Sequence, residues 1–236
     1  MIKKLLLPLA FSMLCFGAKA QNLQLHFDPR SSIYGTDAFE RDFFTATFEM
    51  YKQDKLGSTF MFMDVNFSEK KGNIGLAYLE IARDFKWEKS PVMAHIEFNG
   101  GIALGANTSG FSIPNAYLVG PSYATKIHDV GIGTYLVYKY NAFEKGSNDV
   151  QWTVTWGVNV FNDKLTIKGF VDLWTENRNR GYGEGAKGKK MVLVTEPQFW
   201  YNVTKQFAVG SEVEISNNFI GNATYVNPTL AAKWEF

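Results

Sequence analysis

Three histidines, His26, His95 and His128, are the side chains of this sequence best suited to proton transfer near neutral pH. A hydrolase would need one of them within reach of a serine hydroxyl and a carboxylate. His26 stands two residues before Asp28 and His95 two before Glu97, and Asp64 and Ser112 complete the set they could meet. Both histidines are expected to point inward near the extracellular ends of strands. His128 lies in the short turn "IHD" and is expected to be solvated. No spacing singles out a catalytic set, so no catalytic residue is assigned. Metal chemistry has no better footing: there is no His-x-His pair, no Asp-rich calcium loop and no phosphate-cradling glycine loop. The single cysteine, Cys15, falls in the leader described below. Neither a metal nor a cofactor is expected.

The other chemistry available is recognition. Carboxylates accept hydrogen bonds from hydroxyls, and aromatic faces stack on flat or sugar-like solutes. Aromatic residues make up 16% of the chain, a density that in an exported protein suggests a carbohydrate-binding sandwich or the girdles of a membrane barrel.

A strand-period pattern lines these residues up. Leu23, Leu25 and Phe27 alternate with Gln24, His26 and Asp28. Phe44, Ala46, Phe48 and Met50 alternate with Thr45, Thr47, Glu49 and Tyr51, and the same rhythm recurs along the chain. Twelve strands are predicted, roughly over 21–28, 42–53, 57–67, 74–86, 91–99, 116–126, 130–140, 150–160, 164–175, 191–201, 207–216 and 224–236. Most are longer than the ~5–6 residues of soluble sheets and match the ~9–11 that a tilted strand needs to cross a bilayer. Short turns ("QDKLG", "WEKS", "IHD", "FND", "NVTKQ") alternate with longer connections, notably 29–41, 100–115 and 176–190. That alternation is expected of an outer-membrane barrel. A net charge of +1 offers no electrostatic case for nucleic acid.

Lys3, Lys4, the apolar run Leu5 to Phe16 and Ala18-Lys19-Ala20 predict a signal peptide over 1–20, cleaved after Ala20, with the barrel over 21–236. At the other end, "NATYVNPTLAAKWEF" alternates apolar and mostly polar residues up to Phe236. Its stripe is expected to face lipid, with Trp234 and Phe236 at the periplasmic interface and the strand paired to the first one. This ending resembles the signal read by the barrel-assembly machinery of Gram-negative bacteria. The expected fold class is therefore all-β, a twelve-stranded antiparallel transmembrane β-barrel in the outer membrane of a Gram-negative bacterium. Its partners would be outer-membrane lipids and a small polar solute. The basic latter half of "ENRNRGYGEGAKGKK" suits contact with anionic lipopolysaccharide. Pro121, Pro197 and Pro228 sit discordantly inside strands. Arg83, on an otherwise apolar face, is expected near the periplasmic end.

The register turns Phe60, Phe62, Asp64, Tyr78, Glu80, His95, Glu97, Phe170, Trp174, Glu196, Trp200, Glu212 and Glu214 inward as candidate solute-binding residues. Acids outnumber bases on that face. Twelve strands lie between the filled eight-stranded barrel and the open porin of 16–18, which allows a narrow selective path. The hairpin "FFTATFEMYKQDKLGSTFMFMDVNF" is similar to the nucleoside-specific outer-membrane channel family, Tsx, in which a short turn ending in Gly leads to a Phe-rich strand carrying an Asp, here Asp64. The chain also resembles a related group of uncharacterised outer-membrane barrel proteins. The resemblance implies a passive, selective channel for small polar solutes, with nucleosides first. Two alternatives stand beside it: a barrel enzyme acting on lipid, and a closed structural or adhesive barrel whose lumen charges pair and hold it shut.

Overall fold

The computed structural model describes residues 21–35, 42–104, 110–142, 144–179, 187–219 and 221–236. The expected leader over 1–20 and parts of the expected loops at 29–41, 100–115 and 176–190 lie outside these residues. The strands are β1 (Gln21–Asp28), β2 (Phe43–Asp54), β3 (Gly57–Asn66), β4 (Leu76–Phe85), β5 (Val92–Leu104), β6 (Gly110–Ile127) and β7 (Val130–Asn141). They continue as β8 (Asp149–Val160), β9 (Leu165–Asn177), β10 (Lys189–Thr195), β11 (Gln198–Asn202), β12 (Phe207–Asn217), β13 (Thr224–Pro228) and β14 (Leu230–Glu235). One short helix, α1 (Arg30–Tyr34), lies in the expected loop after β1. No described helix is long and apolar enough to cross a membrane.

Every ladder is antiparallel, and the sheet closes on itself. β14 pairs with β1, setting Leu23 opposite Trp234 and Leu25 opposite Ala232. The Phe236 N–H donates to the Gln21 carbonyl at 3.0 Å. The fourteen segments form twelve barrel strands. β10 and β11 are one strand interrupted at Glu196–Pro197: Thr195 faces Val171 and Gln198 faces Lys168, three residues on against three back, so the register does not slip. β13 and β14 are likewise one strand, interrupted at Thr229, in a single register against β12.

The discordant prolines mark irregular places in the ladders, Pro197 falling in the interruption between β10 and β11. Pro121 pairs with Ala94 on β5 and leaves a two-position gap in the β6–β7 ladder, between the pairs Val119–Tyr138 and Ser122–Tyr135. Pro228 lies beyond the last β1–β14 pair, Phe27–Leu230, where β1 has nearly ended.

The expected loop over 100–115 is a correction. β5 runs to Leu104 and β6 starts at Gly110, with Gly101 opposite Ile113 and Leu104 opposite Gly110. Its Gly- and Pro-containing composition reflects a β-bulge, in which Pro114 and Asn115 oppose Gly100. A Cβ on Gly101 would lie 2.3 Å from the Ala77 carbonyl oxygen, so only glycine fits there. The connection at 105–109 is consequently shorter than the turn at 86–91, and the long–short alternation fails at that place.

Polarity is inside out. Leu25, Ile96 and Leu136 face outward at 46%, 47% and 53% exposure, while inward-facing Gln24 and Asn227 are buried. Exposed aromatics gather in two belts. Phe85, Trp87, Tyr123, Phe161, Tyr201 and Trp234 ring the end with the short turns and both strand termini (the turn end). Phe44, Phe111, Tyr117 and Tyr140 ring the opposite, loop end. Such belts place amphipathic rings at the two membrane–water interfaces. Arg83 lies at the turn end, where its guanidinium donates to both Asp54 carboxylate oxygens at 2.8 Å and to Thr59 at 2.8 Å.

Placing a charge at mid-depth on the outer face tests this orientation. Leu25→Arg should cost about 2–4 kcal/mol in urea unfolding from lipid vesicles. The neighbouring inward change Gln24→Asn should cost far less, and a reversed order would put the wrong face in lipid.

Candidate functional site

The lumen is layered, and each layer follows from alternation along the strands. At the turn end β9 presents Lys168 and β2 presents Glu49, from nearly opposite sides of the barrel. The Lys168 ammonium reaches both Glu49 carboxylate oxygens, at 2.6 and 2.8 Å, so the pair spans the lumen as a crossbar. Asn22 donates to the same carboxylate at 3.2 Å. Beside it Trp200 is fully buried, with the Lys233 ammonium 5.0 Å from its ring centroid and the His26 ring edge-on at 5.9 Å. Below the crossbar lies a polar cavity of about 720 Å³, lined by Asn22, Glu49, Asn162, Lys164, Lys168, Lys205 and Lys233 among others.

Above the crossbar comes a belt of carboxylates. Asp64 faces Tyr78 across one ladder and Glu80 faces Asn99 across the next, with Glu97 two residues along from Asn99. On the far wall Asp172 faces Val194 and Gln198 faces Glu212, with Glu196 between them on the same strand. Most of these acids are held by neutral donors. Thr47 donates to Asp64 at 2.6 Å, Tyr78 to Glu80 at 2.7 Å, Gln198 to Glu212 at 2.5 Å and Thr153 to Asp172. The strongest electrostatic neighbours of Glu196 are themselves carboxylates: Glu212, Glu214, Asp64 and Asp172. Glu80 in turn lies in the field of Glu97 on the neighbouring strand and of Asp172 across the lumen, with Lys139 as a resident cation.

Part of the same wall is apolar. Ala116, Leu118 and Val137 pack with Tyr135 on β6 and β7, and Val192, Val194 and Trp174 pack with Phe170 on β9 and β10. Phe60, Phe62 and Tyr78 form a chain of tilted rings with centroids 6.0 and 6.1 Å apart. Lys139 sits 4.5 Å over the Trp174 ring and donates to Gln151 at 2.8 Å. At the loop end α1 folds over the mouth. Arg30 pairs with Asp28 at 3.1 Å and Glu214 at 3.0 Å, and the Tyr34 hydroxyl donates to the Val226 carbonyl at 2.8 Å.

The structure brings Asp64, Glu80, Glu97, Glu196 and Glu212 to one level and sets Phe60, Phe62, Tyr78, Phe170 and Trp174 around them. Three other sequence candidates are already engaged by neighbouring side chains. Trp200 is packed into the neck with no free face. Glu214 is occupied by Arg30, Ser216 and Asn227. His95 is clamped between Asp84 at 2.9 Å and Glu97 at 3.1 Å and stacked on Tyr135 at 4.1 Å.

The expected position of His95 near the extracellular end is a further correction. It lies near the turn end, because β5 begins at Val92 and ascends. It meets Asp84 and Glu97, not Ser112 or Asp64. The nearby Ser122 hydroxyl donates to Asp84 at 2.6 Å, so the serine-to-imidazole contact that would activate a nucleophile is not made there. His26 is bonded to Thr229 at 3.1 Å and Gln24 at 2.9 Å, and His128 is exposed in its turn. Among the described residues no group of His, Cys, Asp and Glu converges as a metal site would require.

Asp84, Asn99, Lys233 and Arg30 belong to the lumen but are absent from the sequence candidates. Alternation alone puts the first three inward. No periodic signal marks Arg30, which stands outside the strands.

One solved structure supports the fold at low identity, and others are similar more loosely. The chain is similar to the NanC porin at 12% identity, with a TM-score of 0.55 and coverage of 92% of this chain and 100% of that one. It is also similar to LpxR from Salmonella typhimurium at 10% identity (TM-score 0.44, coverage 92% and 100%). A third structure, Omp33 of Acinetobacter baumannii, shows 15% identity (TM-score 0.43, coverage 92% and 98%). No curated protein sequence matches the chain. A family model described as a domain of unknown function, DUF5020, matches residues 20–236, and the chain belongs to that family.

Proposed function

We propose that the protein is an outer-membrane channel of a Gram-negative bacterium for passive, selective uptake of small polar solutes, with nucleosides as the first solutes to test. The observation that carries this reading is the lumen itself. A belt of carboxylates held by neutral donors stands beside a chain of aromatic rings, between a mouth and a polar vestibule. Carboxylates bind ribose-like hydroxyls, and the Phe60–Phe62–Tyr78 rings offer stacking faces for a flat base. With this orientation the turn end is periplasmic and the loop end extracellular, and the outer face is solvated by outer-membrane lipid. The Tsx-like hairpin supports the same reading. One observation favours a closed barrel instead: the Lys168–Glu49 crossbar stands in the path.

Planar-bilayer recording separates the two. A channel should give small conductance steps that added nucleoside partly blocks, whereas a silent bilayer favours the closed reading. Removing the crossbar in the double variant Glu49→Gln/Lys168→Met should raise the conductance roughly twofold, because the pair occupies a narrow lumen. Unchanged conductance would place the constriction elsewhere. The double variant Glu212→Gln/Glu214→Gln should lower the K⁺ over Cl⁻ preference read from the reversal potential in a salt gradient. Glu212 should account for most of the change, since Arg30 already neutralises Glu214.

A further inference from the structure

We propose that the mid-lumen carboxylate belt is a binding site for primary ammonium groups, so that amine-bearing solutes are the ones the channel selects. The inference rests on the pore reading for its role in transport, but the site stands or falls separately.

Acidity alone does not point to a ligand; two buried acceptors do. The Asn99 side chain is 6% exposed and lies directly opposite Glu80, and its amide oxygen has no hydrogen-bond partner. Glu97, also 6% exposed, keeps one carboxylate oxygen bound to His95, while the other has no partner. A buried acceptor left without a donor is costly, on the order of 1–3 kcal/mol. The groups around these two atoms are mostly further acceptors, in Glu80 and Asp172. What suits such a place is a ligand group that donates only.

A primary ammonium has three N–H donors and no acceptor, whereas a hydroxyl brings an acceptor with its donor. Its positive charge is matched by Asp64, Glu80 and Glu97 on one wall and by Asp172, Glu196 and Glu212 on the other. The lysines that face the belt are fewer and already engaged: Lys139 on Gln151 and Trp174, and Lys168 on Glu49.

Among the described residues the acids come from six strands around the lumen and do not converge on one point. This disfavours a small divalent ion, which needs several oxygens at one point, and suits an elongated cation. The apolar patches at Leu118, Val137, Val192 and Val194 give the methylene or aryl body of such a solute a dry surface.

The test uses the refolded mature chain and 1,4-diaminobutane as probe. In planar bilayers under symmetric KCl, the diamine should block the K⁺ current at concentrations at least about tenfold below those of uncharged 1,4-butanediol, a ratio equal to about 1.4 kcal/mol. Glu80→Gln/Glu196→Gln should raise the half-blocking concentration by a similar factor. Asn99→Leu, which carries no charge change, should raise it several-fold, and it keeps the test open if the double variant does not refold. Mg²⁺ should not reproduce the effect. A conducting channel on which diamine and diol act alike, or on which Mg²⁺ blocks as well as the diamine, overturns the proposal. If no channel steps occur, titration calorimetry of the detergent-solubilised barrel decides the site: saturable diamine binding lost in Asn99→Leu upholds it without the pore, and no binding overturns it.

Discussion

Closure of the hydrogen-bonded ladder is the constraint on which everything else in this protein depends. In hydrocarbon an unpaired backbone N–H or C=O has no water to turn to, so a sheet can cross a membrane only when it has no edge. The pairing of β14 with β1 removes that edge. It also dictates the side chains. Because a strand alternates faces, closing the sheet forces one set of residues into lipid and the other into a shared interior. The exposed aliphatics outside and the buried Asn, Gln, Glu and Lys side chains inside are two consequences of that single geometric act. Apart from the bulge at Gly100, the ladder interruptions obey it as well. At Pro121 the ladder has a gap, while at Glu196–Pro197 and Thr229 backbone N–H groups still reach the neighbouring strands, and at all three the register resumes unshifted on the far side.

An interior built this way has no hydrophobic core in the ordinary sense. Its buried polar groups must satisfy one another. Asp84 collects donors from Ser58, Ser122 and His95 on three different strands. Lys168 and Glu49 meet across the lumen. Breaking such a buried pair from one side strands the other charge, which is why these networks rigidify a barrel more than their net energy suggests. Where the pairing is incomplete, at Asn99 and Glu97, the lumen keeps capacity for an outside partner. Structural rigidity at the neck and recognition at mid-depth are thus two regimes of the same polar interior, separated only by whether each charge has found a counter-charge.

The vertical ordering follows from strand tilt. Tilted strands carry residues distant in sequence to one level, and this brings Asp64, Glu80, Glu97, Asp172, Glu196 and Glu212 into a belt from six different strands. The aromatic rings and the apolar patches at Leu118 and Val194 lie beside that belt, so charge recognition and contact with an apolar body are offered together.

Alternation read from the sequence alone determined the strands, their order and the face of nearly every residue in them, since a period of two is a local property of the backbone. It put Asp64, Glu80 and Glu212 inside and Leu25 and Trp234 outside, and it placed Arg83 at the turn end. It failed where composition and geometry diverge: the Gly-containing stretch at 100–115 looked like a loop because a β-bulge needs the same residues as a turn. The expectation for His95 is at the wrong end of its strand, although the direction of β5 already contains the answer. What only the tertiary structure decided is which inward residues meet. Lys168 finds Glu49, Arg30 finds Glu214, Trp200 is sealed in the neck and Asn99 is left without a donor, because depth in a barrel depends on the stagger summed over every ladder. No local pattern records that sum.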